Sequence, residues 1–242
     1  GRQLLRAAGD LERSVKRVAT GWETDLCIAV ADPIPVERIY PLLKTFYEQD
    51  FGTRLQICSE VLGGAWDALF SGRADLVIGA ADMGPNGGGY STRILGQVEL
   101  IFVASPDHPL AAGSEPLTVE AIARHRAVVV ADSSRCLPPR TMASFESQEM
   151  LTVPDMAAKC EAHRQGLGVG FVPRHMVQAD LVAGRLVSRP LASGPLHYRL
   201  QVVWRSGRLG KALNWFLKRL EDPVLLEGIV EPTGEHAAEL SA

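Results

Sequence analysis

The chain has 242 residues and a mass of 26.2 kDa, room for one large domain or two small ones at roughly 100–200 residues each. Hydrophobic residues make up 46% and charged residues 22%, a globular balance that argues against disorder. The net charge of −3 and the pI near 6.1 argue against a chain that binds nucleic acid by itself. No apolar run approaches the ~18 residues of a membrane span, so no membrane partner is expected.

At the N-terminus, Leu4, Ala8, Leu11, Val15 and Val18 follow a 4-3-4-3 spacing, the seam of a coiled coil, with Arg2, Arg6, Arg13, Lys16 and Arg17 around it. Such a helix either packs on its own domain or is the end of a longer one; the missing initial Met favours the second. The first residues lack the apolar core of a signal peptide. Cys27, Cys58, Cys136 and Cys160 form no CxxC and suit neither a zinc site nor a disulfide framework, which points to the cytoplasm.

Residues 25–31 read as a buried strand, broken by Pro33 and Pro35. Val36, Ile39, Tyr40, Leu43, Phe46 and Tyr47 then repeat at helical spacing over 36–49. Residues 53–59 form a second strand, Gly63-Gly64 opens a short helix carrying Trp66, Leu69 and Phe70, and 76–79 form a third strand. This alternation predicts a parallel sheet. The Gly-rich stretch 85–89 reads as a crossover. Beyond it the pattern predicts strands over 98–105, 127–131, 150–153 and 169–172 and helices over 118–124, 155–165 and 173–179. Ser193-Gly194-Pro195 is a second break, followed by a strand over 198–204 and an amphipathic helix built on Leu209, Leu213, Phe216, Leu217 and Leu220. Residues after Pro223 read as a loosely held tail. The two crossings predict two α/β subdomains, 23–86 with 195–222 and 87–194, flanking a cleft.

No catalytic constellation stands out. Gly166-Leu167-Gly168-Val169-Gly170 follows a helix and leads into a strand, the reverse of a dinucleotide loop, and reads as a helix end with close packing. His108 reads as a turn residue, and His125, His163, His175 and His197 as surface or edge residues. No cofactor or metal is implied. The candidate ligand groups are loop residues at the expected cleft. They comprise Asp32 with the apolar wall Pro33 and Ile34, Leu62 with the backbone N–H groups of Gly63 and Gly64, and Asp132, Ser133, Ser134 and Arg135 after a buried strand. Asp155 and Lys159, in the first turns of a later helix, and Asp82 and Ser105, at strand ends, complete the set. Capping is the competing role for Asp32 and Asp155.

Three segments carry a family likeness. Ala65-Trp66-Asp67-Ala68-Leu69 leading to Gly72-Arg73-Ala74-Asp75-Leu76-Val77-Ile78-Gly79 resembles the "L..G..D..I" segment of LysR-type transcriptional regulators. Ser105-Pro106-Asp107-His108-Pro109-Leu110-Ala111 resembles that family's "HPLA" turn, and 166–173 its "G.G...P" segment. Residues 60–69 and 132–138 are most similar to a subgroup that includes purine-nucleoside-responsive activators. The resemblance implies a type 2 periplasmic-binding-protein-like fold of two Rossmann-like subdomains, preceded by the end of a dimerising linker helix over 1–22. It further implies a small polar effector in the cleft, a homodimer or tetramer with the helix over 36–49 at a partner contact, and promoter DNA bound only through a winged helix-turn-helix outside this chain. RNA polymerase is a further expected partner. Family members commonly place Ser or Thr where this chain has Ile34 and Leu62-Gly63, so Asp32 and backbone N–H groups are left to serve, favouring a ligand with N–H or hydroxyl donors. The competing reading is an extracytoplasmic solute-binding protein for transport, which shares the architecture; an enzyme on the same scaffold lacks an acid–base pair.

Overall fold

In the computed structural model, residues 21–81, 84–85, 88–113, 115–141, 148–207 and 209–230 are described. The seam over 1–20 lies outside them.

The apolar run Asp25–Ala31 (β1) is buried on both faces. It pairs in parallel with Arg54–Glu60 (β2) and with Leu76–Ala81 (β3). Pro33 and Pro35 end the extended run. A 3-10 turn at Val36–Ile39 then leads into helix α1 (Tyr40–Tyr47), and Pro41 sits at its start, where a missing N–H costs nothing. The short helix α2 (Gly64–Phe70) covers the other face of β1 and β3 through Trp66 and Leu69; Phe70 is exposed instead.

The sheet is mixed rather than purely parallel. Tyr90–Ala104 (β4) is a 15-residue strand, far longer than the 98–105 segment its apolar residues suggested. Its first half is mostly polar and only partly buried, and it pairs antiparallel with Leu196–Arg205 (β9). β9 in turn runs antiparallel to β3, giving the order β2-β1-β3-β9-β4-β7, with β7 at Gly170–Pro173. A strand with no apolar signature, Val187–Arg189 (β8), also pairs with β4.

Helix α3 (Val119–Ala123), capped by Thr118, precedes Ala127–Val130 (β5), which pairs in parallel with Met150–Val153 (β6). A bridge from Ala127 to Val169 joins this small sheet to β7. Helices α4 (Met156–Arg164) and α5 (Arg174–Val182) flank β7. Between α4 and β7, a Cβ at Gly168 would stand 2.6 Å from the Arg126 carbonyl oxygen, so the glycine run serves close packing, as its order in the chain predicted. His108 accepts from the Leu110 N–H at the start of the 109–111 turn. His163, expected at the surface, is fully buried in α4 with Nδ1 on the Gly168 carbonyl, and burial pulls its pKa down to about 4.

The largest core cluster lies under α1 and helix α6 (Lys211–Arg219). Phe46 stacks on Phe216 at 4.9 Å and meets Trp215 edge-on at 5.1 Å, so it is core rather than surface; Tyr40 and Tyr47 on the same helix stay exposed. Glu23 caps α6, accepting from the Ala212 and Leu213 N–H groups at 2.9 and 3.1 Å.

The expected loose tail begins as a packed helix, α7 (Pro223–Ile229). Asp222 caps it, Arg38 donates to the Ile229 carbonyl at 3.0 Å, and Ile229 and Val230 join the main core. Leu225, Leu226 and Ile229 recur on one side, a periodicity hidden by the helix's shortness. Truncating the fully buried Ile229 to Ala should lower unfolding free energy by about 2–4 kcal/mol in urea denaturation; a loss under about 0.5 kcal/mol would mean that α7 does not hold its place in solution.

Candidate functional site

Three chain segments meet at the C-terminal ends of the parallel strands: the turn after β1, the turn after β2, and the loop after β5. Between them lies a cleft with a cavity volume of about 90 Å³, open to solvent at its mouth. Such a site, at strand ends in an open α/β sheet, has the place of a small-molecule pocket.

Its walls are largely apolar. Ala31, Pro33, Val61, Leu62, Val130, Met156 and Phe171 line it, with Leu100, Tyr198 and Leu200 contributed by the antiparallel pair β4 and β9. Two charged groups stand in this wall from opposite sides. Asp32 follows β1 and reaches across to accept the N–H of Met156 at 2.7 Å, the first residue of α4. It therefore caps a helix, though not the one that follows it in sequence. Burial lifts its carboxyl to about 6, against that hydrogen bond. Lys159, one turn into α4, is 5% exposed and lines the same cleft. Burial pulls its ammonium down to about 8, with Cys160 and Asp32 opposing, so it remains charged at neutral pH. It makes no side-chain hydrogen bond or close ion pair among the described residues. Arg140 stands at the rim.

The residues expected to offer donors to a ligand do something else. Gly63 N–H donates to Asp132 Oδ2 at 3.1 Å, and Gly64 N–H to the Val61 carbonyl at 2.9 Å. Val61 N–H donates to Ser133 Oγ at 2.8 Å, and that hydroxyl donates to Glu60. Ser134 and Arg140 N–H groups complete the shell of Asp132. A Cβ at Gly64 would lie 1.8 Å from Ser133 Oγ, so the glycines allow two loops to touch rather than cradle an anion. Leu62 between them is held left-handed at φ 50°, a conformation disfavoured by roughly 1–2 kcal/mol, and its flanking hydrogen bonds fix it there.

Beneath this seam is a buried ionic knot. Arg73 bridges Glu60 and Asp67, and Asp67 Oδ1 accepts the Cys136 and Leu137 N–H groups at 2.8 and 2.7 Å. Burial works to raise the Asp67 pKa; the donors from Leu137, Arg73, Cys136 and Arg135 win and hold it at about 2.

Of the residues singled out from sequence, then, Asp32, Pro33, Leu62 and Lys159 come together in the cleft. Gly63, Gly64, Asp132, Ser133 and Ser134 form the loop seam. Ile34 turns inward and packs under Gly79 in the core. Arg135 is exposed, its N–H turned to Asp67. Asp155 caps α4, accepting from Ala158 at 2.7 Å. Ser105 lies with His108, Arg164 and Gly166 at a separate surface hollow. Asp82 is outside the described residues. Tyr198, Leu200 and Leu100 were missed, because strand alternation marks which residues share a face but not that β9 inserts between β3 and β4.

Comparison with known proteins follows this geometry. Residues 19–223 match the family model described as the LysR substrate binding domain. The chain belongs to that family. It is similar to the uncharacterized HTH-type transcriptional regulator YeeY of Escherichia coli, 35% identical over 216 residues, 89% of this chain and 70% of YeeY. It is also similar to the HTH-type transcriptional regulator PunR of the same organism, 30% identical over 234 residues, covering 96% and 76%. Among solved structures, full-length LysG of Corynebacterium glutamicum with bound effector Arg aligns with a TM-score of 0.64 at 17% identity, covering 95% of this chain and 78% of that one, a likeness of fold. The chain is thus the effector-binding region of a LysR-family transcriptional regulator, with the two-subdomain periplasmic-binding-like fold that the three segments implied. Its named relatives are transcriptional regulators, so the transport reading gives way. No helix among the described residues is long and apolar enough to cross a membrane.

An acid whose pKa rises on folding favours the native state when protonated. The contribution of Asp32 is complete below pH 4 and fades as the pH rises through about 6. Asp32→Asn keeps an acceptor for Met156 without the charge. Its stability relative to the wild type should therefore grow by about 1–3 kcal/mol from pH 4 to pH 7 in denaturant titrations; a constant difference would contradict the burial of this carboxylate.

Proposed function

We propose that the cleft between Asp32 and Lys159 is where this LysR domain takes its effector, and that Pro33, Leu62, Arg140, Tyr198 and the apolar strand ends form the rest of the site. The carrying observation is the separated Asp32 and Lys159 set in a largely apolar, open cleft at the strand ends, with Arg140 at its rim. The two walls come from chain segments that the crossings divide, 23–86 with 195–222 against 87–194, and an effector touching both biases how these subdomains sit. The loop seam 60–64 with 132–137 acts as the edge about which they are held.

In this reading the domain reports the effector to a DNA-reading segment beyond the chain, in the cytoplasm, where promoter DNA and RNA polymerase are found. Homodimerisation through the exposed Tyr40 and Tyr47 face of α1, with further assembly through a linker helix, is the supported mode of association.

Leu100→Trp fills the cleft from its floor without touching the charged groups. A small-molecule extract of the source cells, fractionated by mass, should contain a component that raises the wild-type melting temperature by about 5–10 °C near 100 times its Kd. The variant should lose that shift. A component that stabilises both proteins equally would move the effector site elsewhere.

A further inference from the structure

The assignment of the cleft leaves the chemistry of its occupant open, and the two charged groups constrain it. A lysine left 5% exposed, with no close anionic partner among the described residues, is costly to keep charged. Lys159 carries that cost in a cleft lined mostly by apolar residues, among them Val130, Met156 and Phe171. Asp32 does not close on it. One Asp32 oxygen is committed to the Met156 N–H, and the two side chains stand beyond ion-pair distance. The other Asp32 oxygen has no hydrogen-bond donor among the described residues. The cleft thus presents Lys159 as a cationic donor and Asp32 as an anionic acceptor, separated, on a largely apolar surface, with Arg140 a second cation at the rim.

A ligand that meets both needs one anionic group and one donor. A simple anion satisfies Lys159 and leaves Asp32 facing a like charge; a simple amine does the reverse. A phosphate-sized dianion would want several donors closing around it, and beyond Lys159 and the rim residue Arg140 the backbone N–H groups of Gly63, Gly64 and Met156 are already taken. We infer that the cleft takes an amphipathic carboxylic acid bearing an adjacent N–H or O–H donor, of the apolar α-amino acid type. Its carboxylate pairs with Lys159, its ammonium with Asp32, and its side chain lies on Leu100, Phe171 and Leu200. The inference rests on the cleft being the effector site.

The test is a melting-temperature series on the wild-type chain with leucine, methionine and phenylalanine, each compared at 10 mM with its analogue lacking the amine and its analogue lacking the carboxylate (for phenylalanine, 3-phenylpropanoate and 2-phenylethylamine). At least one complete amino acid should raise the melting temperature by about 3 °C or more, and each of its analogues by less than half as much. Lys159→Met keeps length and volume while removing the charge; it should erase the advantage over the amine. Asp32→Asn should reduce the advantage over the acid. Equal shifts within every set, including no shift at all, overturn the inference, as do full shifts in both variants. A molecule without a carboxylate that stabilises the wild type but not Leu100→Trp would leave the cleft as the effector site and defeat only this ligand class.

Discussion

Arg73 sits between two buried carboxylates, and much of the cleft's shape depends on that placement. Glu60 ends β2 and Asp67 lies in α2, so a single guanidinium ties the strand to the helix that covers it. Neither carboxylate is saturated by Arg73 alone. Glu60 spends its other oxygen on Ser133, and Asp67 its other oxygen on two backbone N–H groups of the 136–137 segment. Charge burial therefore recruits the loop after β5, about 70 residues further along the chain, and brings it against Gly63 and Gly64. Removing one partner of such a network would strand a buried charge and cost on the order of 3–5 kcal/mol.

With that edge fixed, the cleft is bounded on one side and open on the other. Asp32 spans it at the floor through the first N–H of α4, and Lys159 waits one turn along the same helix. The arrangement is economical in polar groups. Most of the wall is hydrocarbon, suited to gaining energy from an apolar body, while two separated charges fix its orientation. Membership of the LysR substrate-binding family gives this geometry its context, a domain whose occupancy is read elsewhere in a transcriptional regulator.

Continuous apolar strands and capped helices were legible from the residues. β1, β6 and α4 lie where their patterns place them, and Asp155, named as a ligand candidate, takes the competing role of a cap. The fold family was legible from three short segments in register. What escaped was long-range pairing. The polar half of β4 carries no apolar run, and the antiparallel insertion of β9 is encoded in no local pattern. The site divided along the same line. Lys159 and Asp32 could be proposed because a charged side chain beside a strand end or in a helix's first turn is visible in sequence. Gly63, Gly64 and Ser133 were assigned to a ligand because nothing local reveals that their partners lie about 70 residues away in the chain. The same free N–H groups that fit an anion also fit Asp132, and only the tertiary structure chooses.

The seam closes on itself, since its donors are spent inside the protein. Native-state amide hydrogen exchange of the unliganded chain addresses this directly. Val61, Gly63, Cys136 and Leu137 N–H groups should exchange as slowly as those of the central strand β1, and together rather than singly, because one buried knot holds them. Exchange of these four at the rate of exposed turn amides would mean that the loops stand apart in solution, and the donors of Gly63 and Ser133 would return to the ligand.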